Sequence, residues 1–149
     1  MSPKTCLVFL IALGMGPTVY SDENFSCKTF DGGEFTAEHW PIFIVTSRSE
    51  NDLSLSLQCA SLIGSLETTR WLIDFAWPSS QSIKGVAARS LLQSEFMKRH
   101  STVLEKPIPD APLMSLVDSN FRILWSSAAY PDDDHWKRAL KIFRNTSKP

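Results

Sequence analysis

The stretch WLIDFAWPSSQSIK, Trp71 to Lys84, joins an apolar run to a polar turn and then to the start of an amphipathic segment. Trp71, Ile73, Phe75 and Trp77 alternate with Leu72, Asp74 and Ala76, and Asp74 is the one polar side chain among them. That pattern belongs to a strand covered on both faces, as in an α/β sheet. Pro78 has no N–H to give a ladder and ends the strand, while Ser82 is of the type that caps a helix.

Upstream, Ile42 to Thr46 (IFIVT) is a second short, continuous apolar run behind Pro41. The chain between the two strands can be read two ways. Leu53, Leu55 and Leu57 alternate as in a strand, whereas Leu53, Leu57, Ala60, Ile63 and Leu66 fall on one helical face. Helix is the expected form, because parallel strands need a crossover. Ser47 to Asp52, just before it, is rich in helix-capping residue types. Downstream, a helix is expected from Ser82 to about His100, with Ala88, Leu92 and Phe96 at four-residue spacing. Pro107, Pro109 and Pro112 mark an irregular connection. Leu113 to Val117 and Phe121 to Ser126 form an expected hairpin around Asp118-Ser119-Asn120, with Asn120 suited to a positive φ and Phe121, Ile123 and Trp125 on the covered face. The final helix opens at Asp132-Asp133-Asp134, carries Trp136, Ala139, Leu140 and Phe143 on one stripe, and ends in bases that complement its dipole.

The N-terminus has the order of a secretory signal peptide: Lys4, the apolar run Cys6 to Met15, then Val19-Tyr20-Ser21. The run is shorter than the roughly 20 residues that span a bilayer. The expected division is a signal peptide over 1–21, an arm over 22–40 with a turn at Gly32-Gly33, a domain over 41–145 and a tail over 146–149. Such a chain is exported, to a periplasm or outside the cell, without stable membrane insertion. About 128 residues then remain, enough for one domain. Fifteen basic against sixteen acidic residues give a formal charge of -1, so nothing in the balance points to nucleic acid or to an anionic membrane.

Two cysteines survive cleavage, Cys27 and Cys59. In an oxidising compartment they are candidates for a structural disulfide. The other readings are that Cys59 is a buried apolar residue, or that one of the pair is a reactive thiol.

The order strand, helix, strand, helix, hairpin, helix over Pro41 to Phe143 resembles the core of the thioredoxin superfamily. The resemblance implies a three-layer α/β sandwich with a mixed sheet of about four strands flanked by helices. It also puts Pro112, before APLMSLVDSNFRILW turns into its hairpin, where the family often has a cis-proline. Two registers compete. In the first, favoured one, Ile42 to Thr46 is the first core strand and the redox motif falls in Ser47 to Asp52 (SRSEND). In the second, Ser79 and Ser82 occupy the thiol positions and Asp74 matches the buried acid that assists proton transfer. In both, the dithiol is gone, and a serine hydroxyl is too weakly acidic to replace it. The resemblance therefore implies a non-catalytic binding or accessory module, with another protein as partner and no cofactor. The alternative is a thiol-disulfide oxidoreductase or peroxiredoxin-like protein that uses Cys27 or Cys59 singly.

The catalytic candidates are Cys59 and Asp74. Candidate binding positions are Trp77, Pro78, Ser79 and Ser80, with Trp40, Tyr130 and the Pro107 to Pro112 loop as further contact surfaces. His39, His100 and His135 have no metal-ligand spacing, and three consecutive aspartates do not converge on one ion, so no metal is expected. Asn24-Phe25-Ser26 and Asn145-Thr146-Ser147 match the glycosylation sequon.

Overall fold

The computed structural model describes residues 25–78, 83–92, 94–106, 108 and 110–146. In chain order, β1 (Ser26–Lys28) and β2 (Glu34–Thr36) make an antiparallel hairpin, closed by a turn in which Gly32 takes φ 86°. β3 (Ile42–Ser47) follows and is buried at every position. A 3-10 turn, Glu50–Asp52, leads into α1 (Leu53–Gly64), and β4 (Trp71–Phe75) is again buried throughout. Then come α2 (Ile83–Leu91), α3 (Glu95–Arg99), the two-residue β5 (Ser101–Thr102), β6 (Met114–Val117), β7 (Ile123–Ser127) and α4 (Asp133–Thr146).

The main sheet has the order β5-β4-β3-β6-β7. β3, β4 and β5 run parallel, while β6 is antiparallel to β3 and β7 to β6. Among the described residues this is a mixed α/β fold with a five-stranded mixed sheet and four helices. α1 supplies the crossover that the parallel pair demands, and its reading as a helix rather than a strand holds.

One face of the sheet carries Phe43, Val45, Trp71, Ile73, Phe75, Met114, Leu116 and Trp125. All four helices pack there, through Cys59, Ala60 and Ile63 of α1, Leu91 of α2, Met97 of α3, and Ala139 and Phe143 of α4. The reason is the direction of travel. β3, β4 and β5 step the same way across the sheet, and two successive crossovers of one hand put their helices on one side. The other face, Ile42, Ile44 and Val117, is covered by Phe25, Phe35, Ala37 and Trp40 from the N-terminal segment, by Ile108 and by Phe121. Irregular chain and a hairpin thus stand where a three-layer sandwich needs helices.

Other expectations change in detail. The helix expected to run from Ser82 to His100 is two helices. Ser94 breaks it by accepting the Met97 N–H at 3.1 Å, and its own N–H donates to Leu91 O. Leu92 and Phe96, expected on the covered stripe, are 61% and 42% exposed as a result. In the β6–β7 hairpin a bulge sets Leu116 opposite Trp125 but Val117 opposite Ile123, so Trp125 joins the helical core and Ile123 is 45% exposed. The positive φ falls on Phe121 (60°) rather than Asn120. Its ring stands edge-on to Phe25 and Trp40, at 5.0 and 5.7 Å. The cis peptide bond among the described residues is Trp40–Pro41, not the bond before Pro112. The signal segment, Ser79, Ser80, Ser82, Pro107, Pro109 and the tail from Ser147 lie outside the described residues.

Candidate functional site

In parallel sheets, ligands and chemistry gather at the carboxyl ends of the strands. At that end of β3, β4 and β5 the chain builds two polar clusters, one on each face.

On the helical side the β3–α1 turn is closed around one carboxylate. Asp52 accepts hydrogen bonds from Ser47 Oγ at 3.0 Å, from the Arg48 N–H at 3.1 Å and from the Ser49 N–H at 3.2 Å. The Ser49 side chain accepts the Asn51 N–H, and its reciprocal bonds with Asp52 form a capping box. The Trp77 indole N–H reaches across from the end of β4 to Ser47 Oγ at 2.9 Å. This explains why Trp77, expected as an exposed docking residue, is buried: its one polar atom is used inside the fold. Pro78 beside it is exposed. Next to this turn a shallow groove of about 520 Å³ opens between α1 and α2, lined by Glu50, Ser54, Leu57, Gln58, Ser61 and Ser90.

On the opposite face Thr46, Asp74 and Thr102 stand side by side in register across the three strands. Asp74 is 2% exposed and accepts the Leu104 N–H at 3.0 Å. Burial raises its pKa above the ordinary carboxylate value, and the Leu104 bond only partly offsets that. The Thr102 hydroxyl donates to Lys28 O at 2.6 Å, so the same side chain that neighbours Asp74 ties down the N-terminal hairpin. Cys27, on that hairpin, comes within reach of the Thr102 hydroxyl and of the Asp74 charge. Desolvation, reinforced by Asp74 and Glu34, holds the Cys27 thiol above its ordinary pKa, against the Thr102 contact.

Cys27 and Cys59 are therefore not a disulfide: both are free. Cys27 belongs to the hairpin side of the sheet with Asp74, whereas Cys59 is packed into the helical core, and the sheet lies between them. Burial pushes the Cys59 thiol up to about 11. At pH 7 that leaves on the order of one thiolate in ten thousand.

The histidines are scattered. His100 is buried with its ring stacked on Trp71, centroids 4.0 Å apart, and its Nδ1 bonded to Trp71 O at 2.8 Å. His135 bridges Ser126 O and Arg138 at the start of α4. Asp132, first of the aspartate run, caps α4 by accepting the His135 N–H at 2.8 Å, a structural use of the residue. Among the described residues no cluster of three or more His, Cys, Asp or Glu side chains is arranged to hold a metal ion. No helix among them is long and apolar enough to cross a membrane.

Sequence reasoning singled out Asp74 but not Thr46, Thr102 or Asp52, the residues that give it neighbours and shape the turn. The Ser49-x-x-Asp52 spacing was the signal for the capping box. Nothing local marks Thr102, which becomes Asp74's neighbour only through strand pairing. Compared with protein-family models, with curated proteins and with solved structures, the chain matches none.

Proposed function

We propose that this chain is an exported, thioredoxin-like binding or accessory module whose partner is another protein and whose thiols take no part in chemistry. The observation that carries the reading is the β3–α1 turn. In the favoured register this is the position of the redox motif, and a carboxylate with three hydrogen-bond donors fills it. Support for that register comes from β3, which pairs with both the crossover strand β4 and the hairpin strand β6 and so stands as the first strand of the core. The one-sided helices are a departure from the sandwich that the family resemblance implies.

Against the single-cysteine alternative stand the two thiols themselves. A nucleophilic cysteine is kept as thiolate by a cationic or hydrogen-bonding environment. Cys59 instead sits among apolar side chains, and Cys27 faces a carboxyl group. The groove beside α1 and the exposed Tyr130 are the surfaces offered for a partner.

The test is alkylation followed by mass spectrometry. The folded protein, without reductant, should leave Cys59 unmodified and Cys27 slow, and urea alone should make both accessible. Rapid labelling of either thiol in the folded state, together with turnover of a disulfide substrate, would overturn the reading in favour of the oxidoreductase. Sequencing of the secreted product, expected to begin near Asp22, checks the export half.

A further inference from the structure

The β1–β2 hairpin is more than an entry arm. It is laid along the short edge strand β5 by two bonds, the Phe30 N–H to Ser101 O at 3.0 Å and the Thr102 hydroxyl to Lys28 O at 2.6 Å. Phe35 packs on the Ile42 and Ile44 face, and Phe30 stacks on Phe75 at 5.2 Å. This hairpin and Leu104 roof Asp74, a carboxyl group buried in the sheet.

Beside Asp74 stand Thr46 of β3 and Thr102 of β5 in register, the Leu104 N–H from the following loop bonds to it, and Cys27 of β1 lies within reach of its charge. None is a cation. Glu34, on β2, adds negative charge near Cys27, and Asp31 is exposed at the hairpin tip. The Thr102 proton is already committed to Lys28 O, and Thr46 Oγ1 is buried with no hydrogen-bond partner among the described residues. A neutral carboxylic acid suits such surroundings. An ionised one, with one N–H donor to serve it, does not, and hydration is recovered most directly by lifting the roof.

We infer that the hairpin Ser26–Thr36 is a proton-controlled roof: it stays docked while Asp74 is protonated and lifts when Asp74 ionises, taking Phe35 off the apolar face of Ile42 and Ile44. The sign follows from linkage. The open form ionises at about pH 4, as an ordinary aspartate does, and the docked form only at higher pH. Between those limits opening releases one proton, so docking weakens tenfold per pH unit and then levels off.

Hydrogen exchange on the intact chain from pH 4.5 to 9 tests this, with protection corrected for intrinsic exchange and compared with Asp74→Asn, which keeps an acceptor for Leu104. At the Phe30 and Ala37 amides the ratio of wild-type to variant protection should fall by up to tenfold per pH unit before levelling. Core amides such as Val45 and Ile73 open with the whole domain, expose Asp74 as well and follow the same slope, but their protection should stay well above that of the hairpin at every pH. His100, whose ring lies 6.2 Å from Phe35, titrates in both proteins and drops out of the ratio. A ratio at the hairpin that does not vary with pH overturns the inference, as does hairpin protection equal to that of the core, which would mean that the hairpin opens only when the whole domain unfolds. Should the variant not fold, the carbon-13 carboxyl shift of Asp74 in the wild type decides. A midpoint that coincides with the levelling of Phe30 protection supports the roof, and a midpoint near 4 removes it.

Discussion

Asp74 and His100 are buried titratable side chains whose charge the fold opposes, and they act in opposite directions. His100 is depressed below its ordinary value of 6.5, chiefly by desolvation and despite its bond to Trp71 O. Its contribution is complete above pH 6.5 and is lost as pH falls from there toward its folded value. Asp74 is raised, so its contribution is complete below about pH 4 and is lost as pH rises toward its own folded value. In the wild type these slopes oppose each other between about pH 4 and 6.5. Urea unfolding as a function of pH should separate them. Asp74→Asn should stabilise by about 1 kcal/mol at pH 8 and leave the acid slope of His100. His100→Phe, which keeps a ring on Trp71, should abolish that slope. The sequence announced Asp74, a lone carboxylate in an apolar strand, but not the burial of His100, which depends on Trp71, 29 residues away in the chain.

Among the elements, the β3–α1 turn is the most over-determined. Asp52→Ala removes the acceptor of Ser47 Oγ and of two backbone N–H groups, so unfolding should cost about 2 kcal/mol less. Trp77→Phe keeps the ring packing but loses the bond to Ser47 Oγ, with an expected loss of about 1 kcal/mol in denaturant midpoint experiments at unchanged m. β3 and β4 were legible because they are apolar on both faces, and α1 and α4 because each buries one continuous stripe. The break at Ser94 was not, since an apolar spacing that runs through Ala88, Leu92 and Phe96 carries no mark of a serine that withdraws to cap the next turn. The reversal of face at Ile123 was equally hidden. A bulge is a property of the pair of strands, and neither strand alone encodes it.

Across the whole molecule, the run of strand, helix, strand, helix, hairpin and helix and a mixed sheet were legible, whereas the fifth strand and the one-sided placement of helices were not. Loop directions decide it, and they are set by β5, a strand of two residues with no periodicity to read. The two halves of the core differ accordingly in stability. Phe143→Ala, in the helical layer beside Phe43 and under the Arg70 guanidinium, should cost about 3–5 kcal/mol and unfold the domain cooperatively. Phe35→Ala, on the roofed face, should instead raise exchange locally in the hairpin, because that layer has fewer buried partners. The bond from Thr102 to Lys28 spans 74 positions of the chain. On a ribosome that adds about 5–20 residues per second, Lys28 waits about 4–15 s for its partner to be made. For most of that interval Ile42 and Ile44 are already made while the β5 edge that anchors the hairpin is not, so the nascent chain carries a β-branched strand with part of its cover unanchored, which a chaperone can hold.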